Sequence, residues 1–191
     1  MSPRPGLDQT AVVQAAARLA DRDGFHAVTL ASLAAELGVR SPSLYNHING
    51  LPGLHAALTL HGLRTLLQGL MKAVVGKSGE DALRQACLAY VEFARTHPGL
   101  YEAALQPIAP EQTEVIQAGD SVVELLLQIL TPYKLTTDDA LHTVRCIRSF
   151  CHGFCSLERS GQFAMNLNRD DSLAFMIDVF IQGMNLKAGE V

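Results

Sequence analysis

The sequence predicts an all-α protein, and three observations carry that expectation. Apolar residues recur at three- and four-residue spacing along nearly the whole chain, as they do in helices buried along one face. Runs in which β-branched and aromatic residues alternate with polar ones are absent. Capping residues, glycines and prolines then cut the 191 residues into segments of ordinary helix length. A chain of this size can bury a sizeable core, either as one large helical domain or as a small module beside a larger one.

The elements follow in order. Residues 1–6 are expected to be a mobile arm carrying Arg4. Asp8 can cap a first helix whose apolar face is Val12, Ala15, Ala16 and Leu19, with Gly24 as its end. Thr29 is the next cap, opening a short helix over 30–37 in which Leu30, Leu33, Ala34 and Leu37 form the buried stripe. Gly38 can take the left-handed conformation that stops a helix, and Ser41-Pro42 is a fresh start signal. The third helix is expected over 42–48, where Leu44 and Ile48 lie one turn apart and bury while Ser43, Tyr45, Asn46 and His47 point elsewhere. Short polar and aromatic groups of that kind can hydrogen-bond phosphate oxygens and base edges, and a proline ring can rest on a thymine methyl. Two short helices joined by a glycine turn, the second with a polar outer face, make a helix-turn-helix pattern.

A long helix over 51–75 follows, with Gly62 and Gly69 inside it. Further helices are expected over 81–96, ended by His97-Pro98-Gly99; over 100–106, ended by Pro107; over 111–130, ended by Thr131-Pro132; and over 138–159 and 170–186. Residues 160–169 are the one long loop, and repeats and low-complexity tracts are absent.

Composition excludes several classes. The four cysteines, Cys87, Cys146, Cys151 and Cys155, lie in apolar or helical stretches with no framework spacing and no signal-peptide pattern ahead of them, which reads as reduced thiols in a cytoplasmic protein. No apolar run reaches the length of a membrane span. The chain carries a net charge of −4, and up to Gly50 the four arginines (Arg4, Arg18, Arg22, Arg40) cancel Asp8, Asp21, Asp23 and Glu36. Such a balance argues against a protein that coats nucleic acid without sequence preference. No nucleophile elbow, phosphate loop or paired-carboxylate site is present, and Asp138-Asp139 and Asp170-Asp171 fall at helix starts where carboxylates meet free N–H groups, so no enzyme is expected. Neither a cofactor nor a metal is expected: His55 and His61 are six apart, which is not a chelating spacing, and Cys151, His152 and Cys155 lack a recognisable site pattern.

The run from Ala11 to Leu54, with Ala15, Ala16, Leu19, Gly24, Thr29, Leu33, Ala34, Leu37, Gly38, Val39, Leu44, Tyr45, His47 and Leu54 in order, resembles the DNA-binding domain of TetR-type transcriptional regulators. The resemblance implies that Arg40, Ser41, Pro42 and Ser43 face bases or groove, that Tyr45 and His47 contact phosphate with Asn46 beside them, and that Thr29 caps the second helix near the DNA backbone. One departure stands out: where the family often has a phosphate-binding lysine near the start of the fourth helix, this chain has Leu51. Backbone N–H groups at that helix start can still attract a phosphate.

Near the C-terminus, Cys151-His152-Gly153-Phe154-Cys155-Ser156-Leu157-Glu158, then Gly161 and Phe163, resembles the signature of TetR-type regulators with a WHG-type C-terminal domain, with Cys151 where the family has tryptophan. The two resemblances imply a DNA-binding domain over 1–50 and a ligand-binding and dimerisation domain over 51–191. They also imply a homodimer on a palindromic operator, released by a small apolar or aromatic effector, with no membrane partner. Tyr90, Phe93, Tyr101, Phe150 and His152 are the candidates to line the effector cavity, with plain core as the competing reading. Phe154, Phe175, Met176, Val179, Phe180 and Gly183 are the candidates for the dimer face, and the five from Phe175 to Gly183 exceed what one core-facing stripe of their helix can hide. The alternative reading is a helical ligand carrier or a thiol or metal sensor that does not bind DNA, motivated by the neutral module, Leu51 and the pair Cys151/Cys155.

Overall fold

Asp8 starts the first helix as its sequence position suggests: its Oδ1 accepts from the backbone N–H of Ala11 at 2.7 Å, and α1 runs over Gln9–Asp23 to Gly24, whose φ of 95° ends it. The computed structural model describes residues 7–188, so the arm expected over 1–6, with Arg4, lies outside the described residues. The predicted face of Val12, Ala15, Ala16 and Leu19 is buried, together with Ala17 and Ala20. A 3-10 turn at Phe25–Ala27 follows, which three residues are too few to announce by periodicity, and it places Phe25 in the core.

Thr29 and Ser32 then form a reciprocal capping box for α2 (Leu30–Leu37): the Ser32 N–H donates to Thr29 Oγ1 at 3.0 Å and the Thr29 N–H to Ser32 Oγ at 2.9 Å. Leu33 and Ala34 are fully buried, and Leu30 and Leu37 are half-buried at the edges of the expected stripe. Gly38 sits at φ 65°, ψ 33°, and the Val39 N–H closes the turn on the Ala34 carbonyl at 3.0 Å. The third helix is shorter than the sequence suggests. α3 spans Ser41–Leu44 alone, because the N–H groups of His47 and Ile48 both donate to the Leu44 carbonyl (2.9 and 3.0 Å), which tightens the following turn before Gly50, at φ 65°, restarts the helix. Leu44 and Ile48 are buried all the same.

α4 (Gly50–Val74), α5 (Gly79–Thr96), α6 (Pro98–Ala104), α7 (Thr113–Leu130), α8 (Thr137–Arg159) and α9 (Arg169–Ala188) complete the chain, with a second 3-10 turn at Thr131–Tyr133. Most starts differ by one or two residues from expectation for local reasons. α6 begins at Pro98, the first-turn position proline favours, and α7 is delayed because the Gln112 N–H and side-chain Oε1 fold back on Ala109. The architecture is all-α: a helix-turn-helix unit, then the long α4, then a helical C-terminal core. Among the described residues no helix is long and apolar enough to cross a membrane.

The chain packs as two compact units, one from residues up to Thr65 together with Thr96–Ala118, the other from Leu66–Arg95 together with Gly119 onward. In the first, α6 is held against both α1 and α4 by glycines. A Cβ at Gly99 would fall inside the Ala20 carbonyl, and one at Gly62 would lie 2.6 Å from the Leu100 carbonyl oxygen, so at both places backbone meets backbone. In the second, α5 buries Leu83, Ala86, Cys87, Tyr90 and Phe93, α8 buries Ile147, Cys151 and Phe154, and α9 buries Leu173, Ile177, Ile181 and Met184.

Candidate nucleic-acid interface and core sites

The helix-turn-helix presents its polar residues because its apolar ones are spoken for. Leu44 is fully buried and Ile48 nearly so, which fixes the roll of α3 and the turn after it. Arg40, Pro42, Ser43, Tyr45 and Asn46 are exposed as a result, while Ser41 and His47 are half-buried; Thr29 is exposed at the start of α2. Tyr45 keeps 60% of its surface in water, an unusual position for an aromatic ring and one suited to a contact outside the chain. At the start of α4 Leu51 is half-buried, so the position where a lysine was expected from the resemblance adds apolar packing and no charge.

The neutral charge of this module acquires a physical explanation. Each of its four acidic side chains is engaged within the chain: Asp8 caps α1, Asp21 binds α6, and Asp23 and Glu36 both pair with Arg22, at 3.0 and 3.2 Å. Those contacts hold the Asp23 carboxyl below its usual range, Arg22 being the chief cause. Arg22 is therefore committed to tying the end of α1 to α2, and Arg18 and Arg40 are exposed cations of the described module.

Asp21 is a site that sequence reasoning missed. Its Oδ1 accepts from the N–H groups of Gly99 and Leu100 (2.9 and 3.0 Å), two otherwise unpaired donors at the start of α6, and its Oδ2 lies 2.8 Å from His97 Nδ1. A carboxylate on α1 thus caps a helix nearly eighty residues away, on the same surface where Gly99 permits backbone contact. Close by, burial holds the His61 imidazole below its ordinary range, reinforced by the neighbouring His97.

The candidates for an effector cavity separate. Tyr101 belongs to the first unit, buried on α6. In the second unit Tyr90 and Phe93 are buried on α5, Phe150 is half-buried, and His152 is exposed on α8. Phe150 packs on Phe180 with ring centres 4.9 Å apart, which joins a residue expected to line the cavity with one expected on the dimer face. The dimer candidates divide as well. Phe154 is buried, packed on the Phe163 ring (5.1 Å) and beneath the Arg95 guanidinium. Phe175 and Val179 are largely exposed, Gly183 is exposed, and Met176 and Phe180 are half-buried.

The motif around 151–163 has a structural logic. Glu158 receives both Nε and Nη2 of Arg95 (2.8 and 2.7 Å), and Arg95 also reaches Asp170 at 2.8 Å, so one guanidinium joins the ends of α5 and α8 to the start of α9. Gly161, at φ 71°, turns the chain so that Phe163 can return onto Phe154. Cys151 and Cys155 sit in that core. A hydrogen bond with Cys87 and burial push the Cys151 thiol far up, and burial pushes Cys155 to about 11, so both stay protonated near neutral pH. Among the described residues no group of three or more His, Cys, Asp or Glu side chains could hold a metal.

Comparison with known proteins agrees with this geometry. Residues 12–47 match the family described as bacterial regulatory proteins, tetR family, and residues 83–180 match a tetracyclin repressor-like C-terminal domain. The chain is 39% identical over 185 residues to the HTH-type transcriptional regulator YobS of Bacillus subtilis (strain 168), covering 96% of each. It is 30% identical over 156 residues to the HTH-type transcriptional regulator Rv0681 of Mycobacterium tuberculosis, covering 81% of this chain and 72% of the other. Among solved structures, a protein from Rhodococcus sp. RHA1 superposes with a TM-score of 0.81 at 24% identity, covering 96% of this chain and 98% of that one.

Proposed function

Because the chain belongs to the TetR family of bacterial regulatory proteins, we propose that it is a sequence-specific transcriptional repressor that leaves a palindromic operator when a small molecule binds. Members of this family are regulators and not catalysts. The observation that carries the reading is the outward set Arg40, Pro42, Ser43, Tyr45 and Asn46 on a turn whose apolar residues, Leu44 and Ile48, are buried. In this reading residues 1–50 are the DNA-binding domain and 51–191 the ligand-binding and dimerisation domain, and the protein works in the cytoplasm. Within the family, the resemblance of the stretch from Cys151 to Phe163 favours the WHG-type branch.

Arg40, Ser41, Pro42 and Ser43 read the groove, Tyr45, Asn46 and His47 hold phosphates, and Thr29 supports the backbone contact. A homodimer, joined through Phe175, Met176, Val179, Phe180 and Gly183, places two such elements about 34–36 Å apart, one turn of DNA. Phe154 supports that face from within. Tyr90, Phe93, Phe150 and His152 are assigned to the effector pocket of the second unit, from which Tyr101 is left out; their aromatic character favours an apolar or aromatic effector. An effector that prefers one of two dimer states by about 1–3 kcal/mol changes operator occupancy several-fold or more. The raised thiols of Cys151 and Cys155 weigh against the thiol-sensor alternative.

The test is capture of genomic fragments by the purified protein, then mobility-shift titration of the best fragment at two salt concentrations. One enriched palindrome is expected, with affinity falling as salt rises. Tyr45→Ala and Arg40→Ala should each weaken it by about tenfold, the effect of one lost charged or phosphate contact. No enrichment would transfer the protein to the carrier reading, and variants that bind an enriched site as the parent does would show that the assigned recognition face is wrong.

A further inference from the structure

A cleft of about 340 Å³ opens on the first unit, between the start of α1, the middle of α4 and the first turn of α7. That is the size of a small-molecule site. Its apolar lining includes the half-buried Val13 from α1 and Leu60 from α4, and Leu60 rests on the buried cluster of Leu63, Val115 and Ala118. Its exposed edge carries two opposite charges side by side, with Arg64 Nη2 of α4 lying 3.3 Å from Glu114 Oε2 of α7. Gln14 of α1 and His61 of α4 add neutral hydrogen-bonding groups, His61 being kept uncharged near neutral pH by its burial.

The ion pair joins two side chains that are 58% and 73% exposed. An exposed pair of this kind contributes little to stability, and its members change partners at small cost. A free acid entering the cleft would meet Arg64 but also Glu114; a free amine would meet Glu114 but also Arg64. A molecule bearing both charges satisfies both groups and leaves the net charge of the site unchanged. An apolar substituent of a few carbons then has Val13 and Leu60 to rest on.

We propose that this cleft binds an aliphatic α-amino acid, whose carboxylate takes Arg64 and whose ammonium takes Glu114 in place of their direct contact. Binding would link α1, α4 and α7 through one molecule and stabilise the first unit by mass action. The proposal stands apart from the DNA-binding reading, since the free protein alone is enough to test it.

The experiment is an NMR titration of the full chain with L-leucine, L-isoleucine and L-valine, beside L-leucinamide and 4-methylpentanoate, which lack the carboxylate and the ammonium respectively. At least one amino acid should give saturable shifts centred on Val13, Gln14 and Leu60. Its two truncated analogues should bind about tenfold or more weakly, as expected for losing one charge-assisted hydrogen bond. Arg64→Gln and Glu114→Gln should each weaken the amino acid to a similar degree while leaving the ligand-free melting temperature unchanged. The proposal is overturned by the absence of a saturable shift at tens of millimolar, by analogues that bind as tightly as leucine, or by shifts undiminished in both variants.

Discussion

At position 99 only a hydrogen fits, because a methyl group there would enter the Ala20 carbonyl on the facing helix. Gly99→Ala is expected to destabilise the protein by about 1–3 kcal/mol, the usual cost of overpacking. Gly69→Ala, in α4 where nothing lies within 4 Å, should instead stabilise by about 0.5–1 kcal/mol through helix propensity. Thermal melts of the two variants make the comparison. Opposite signs are the expected outcome, and equal ones would remove the close approach of α1 and α6. His61 is a second residue with a measurable signature. Its folded form resists protonation, so between its depressed value and the ordinary 6.5 the unfolded chain binds more protons, and stability falls as pH drops through that window. Urea midpoints measured from pH 7.5 to 5 should decline less steeply for His61→Gln than for the parent. Residues of this kind were only partly legible in the sequence. Asp8 and Thr29 act within three residues of themselves, and local spacing revealed both; Asp21 acts on Gly99 and Leu100, and no local pattern marks so distant a partner.

Elements obey the same division between local and remote causes. The capping box of α2 is local, and Thr29→Ala should cost about 1 kcal/mol in chemical denaturation. Ser32→Ala should cost a similar amount, and the double variant less than the sum, because the two side chains serve each other. An additive pair would mean that they act independently. The periodic apolar stripes made the long helices readable to within a residue or two, α4 among them. α3 was overestimated because Leu44 and Ile48 keep the spacing of a helix, and both bury, while the backbone between them tightens. Side-chain period reports which faces are inward and is blind to whether the carbonyl of Leu44 is shared. The two 3-10 turns escaped for the related reason that three residues cannot show a period.

For the whole molecule the telling element is α9. Leu173, Ile177, Ile181 and Met184 form one buried line, and Phe175 (71% exposed), Val179 and Leu186 lie away from it. The sequence shows that the helix has more apolar surface than a single core needs, and of its expected dimer face Phe175, Val179 and Gly183 are exposed while Met176 and Phe180 are half-buried. It did not show that Phe154 sinks into the core, since the Phe163 and Arg95 that cover it come from other segments. If the spare side joins two copies, Phe175→Glu combined with Val179→Glu should turn a dimer into a folded monomer in sedimentation velocity, with helical content intact because both side chains are exposed. A parent chain that stays monomeric at about 100 μM would remove the dimer from the proposal, a concentration well above typical nanomolar-to-micromolar association.

The clasp between Asp21 and the start of α6 also sets a timetable. A ribosome that has made α1, α2 and α3 has finished every residue of the helix-turn-helix, yet the N–H groups that satisfy Asp21 lie 78 and 79 positions beyond Asp21 and are still to come. At about 5–20 residues per second, they are added roughly 4–16 s after Asp21 itself. Throughout that interval the nascent head of the protein waits with an uncovered groove beside Ala20, and its completion depends on a segment translated after the whole of α5.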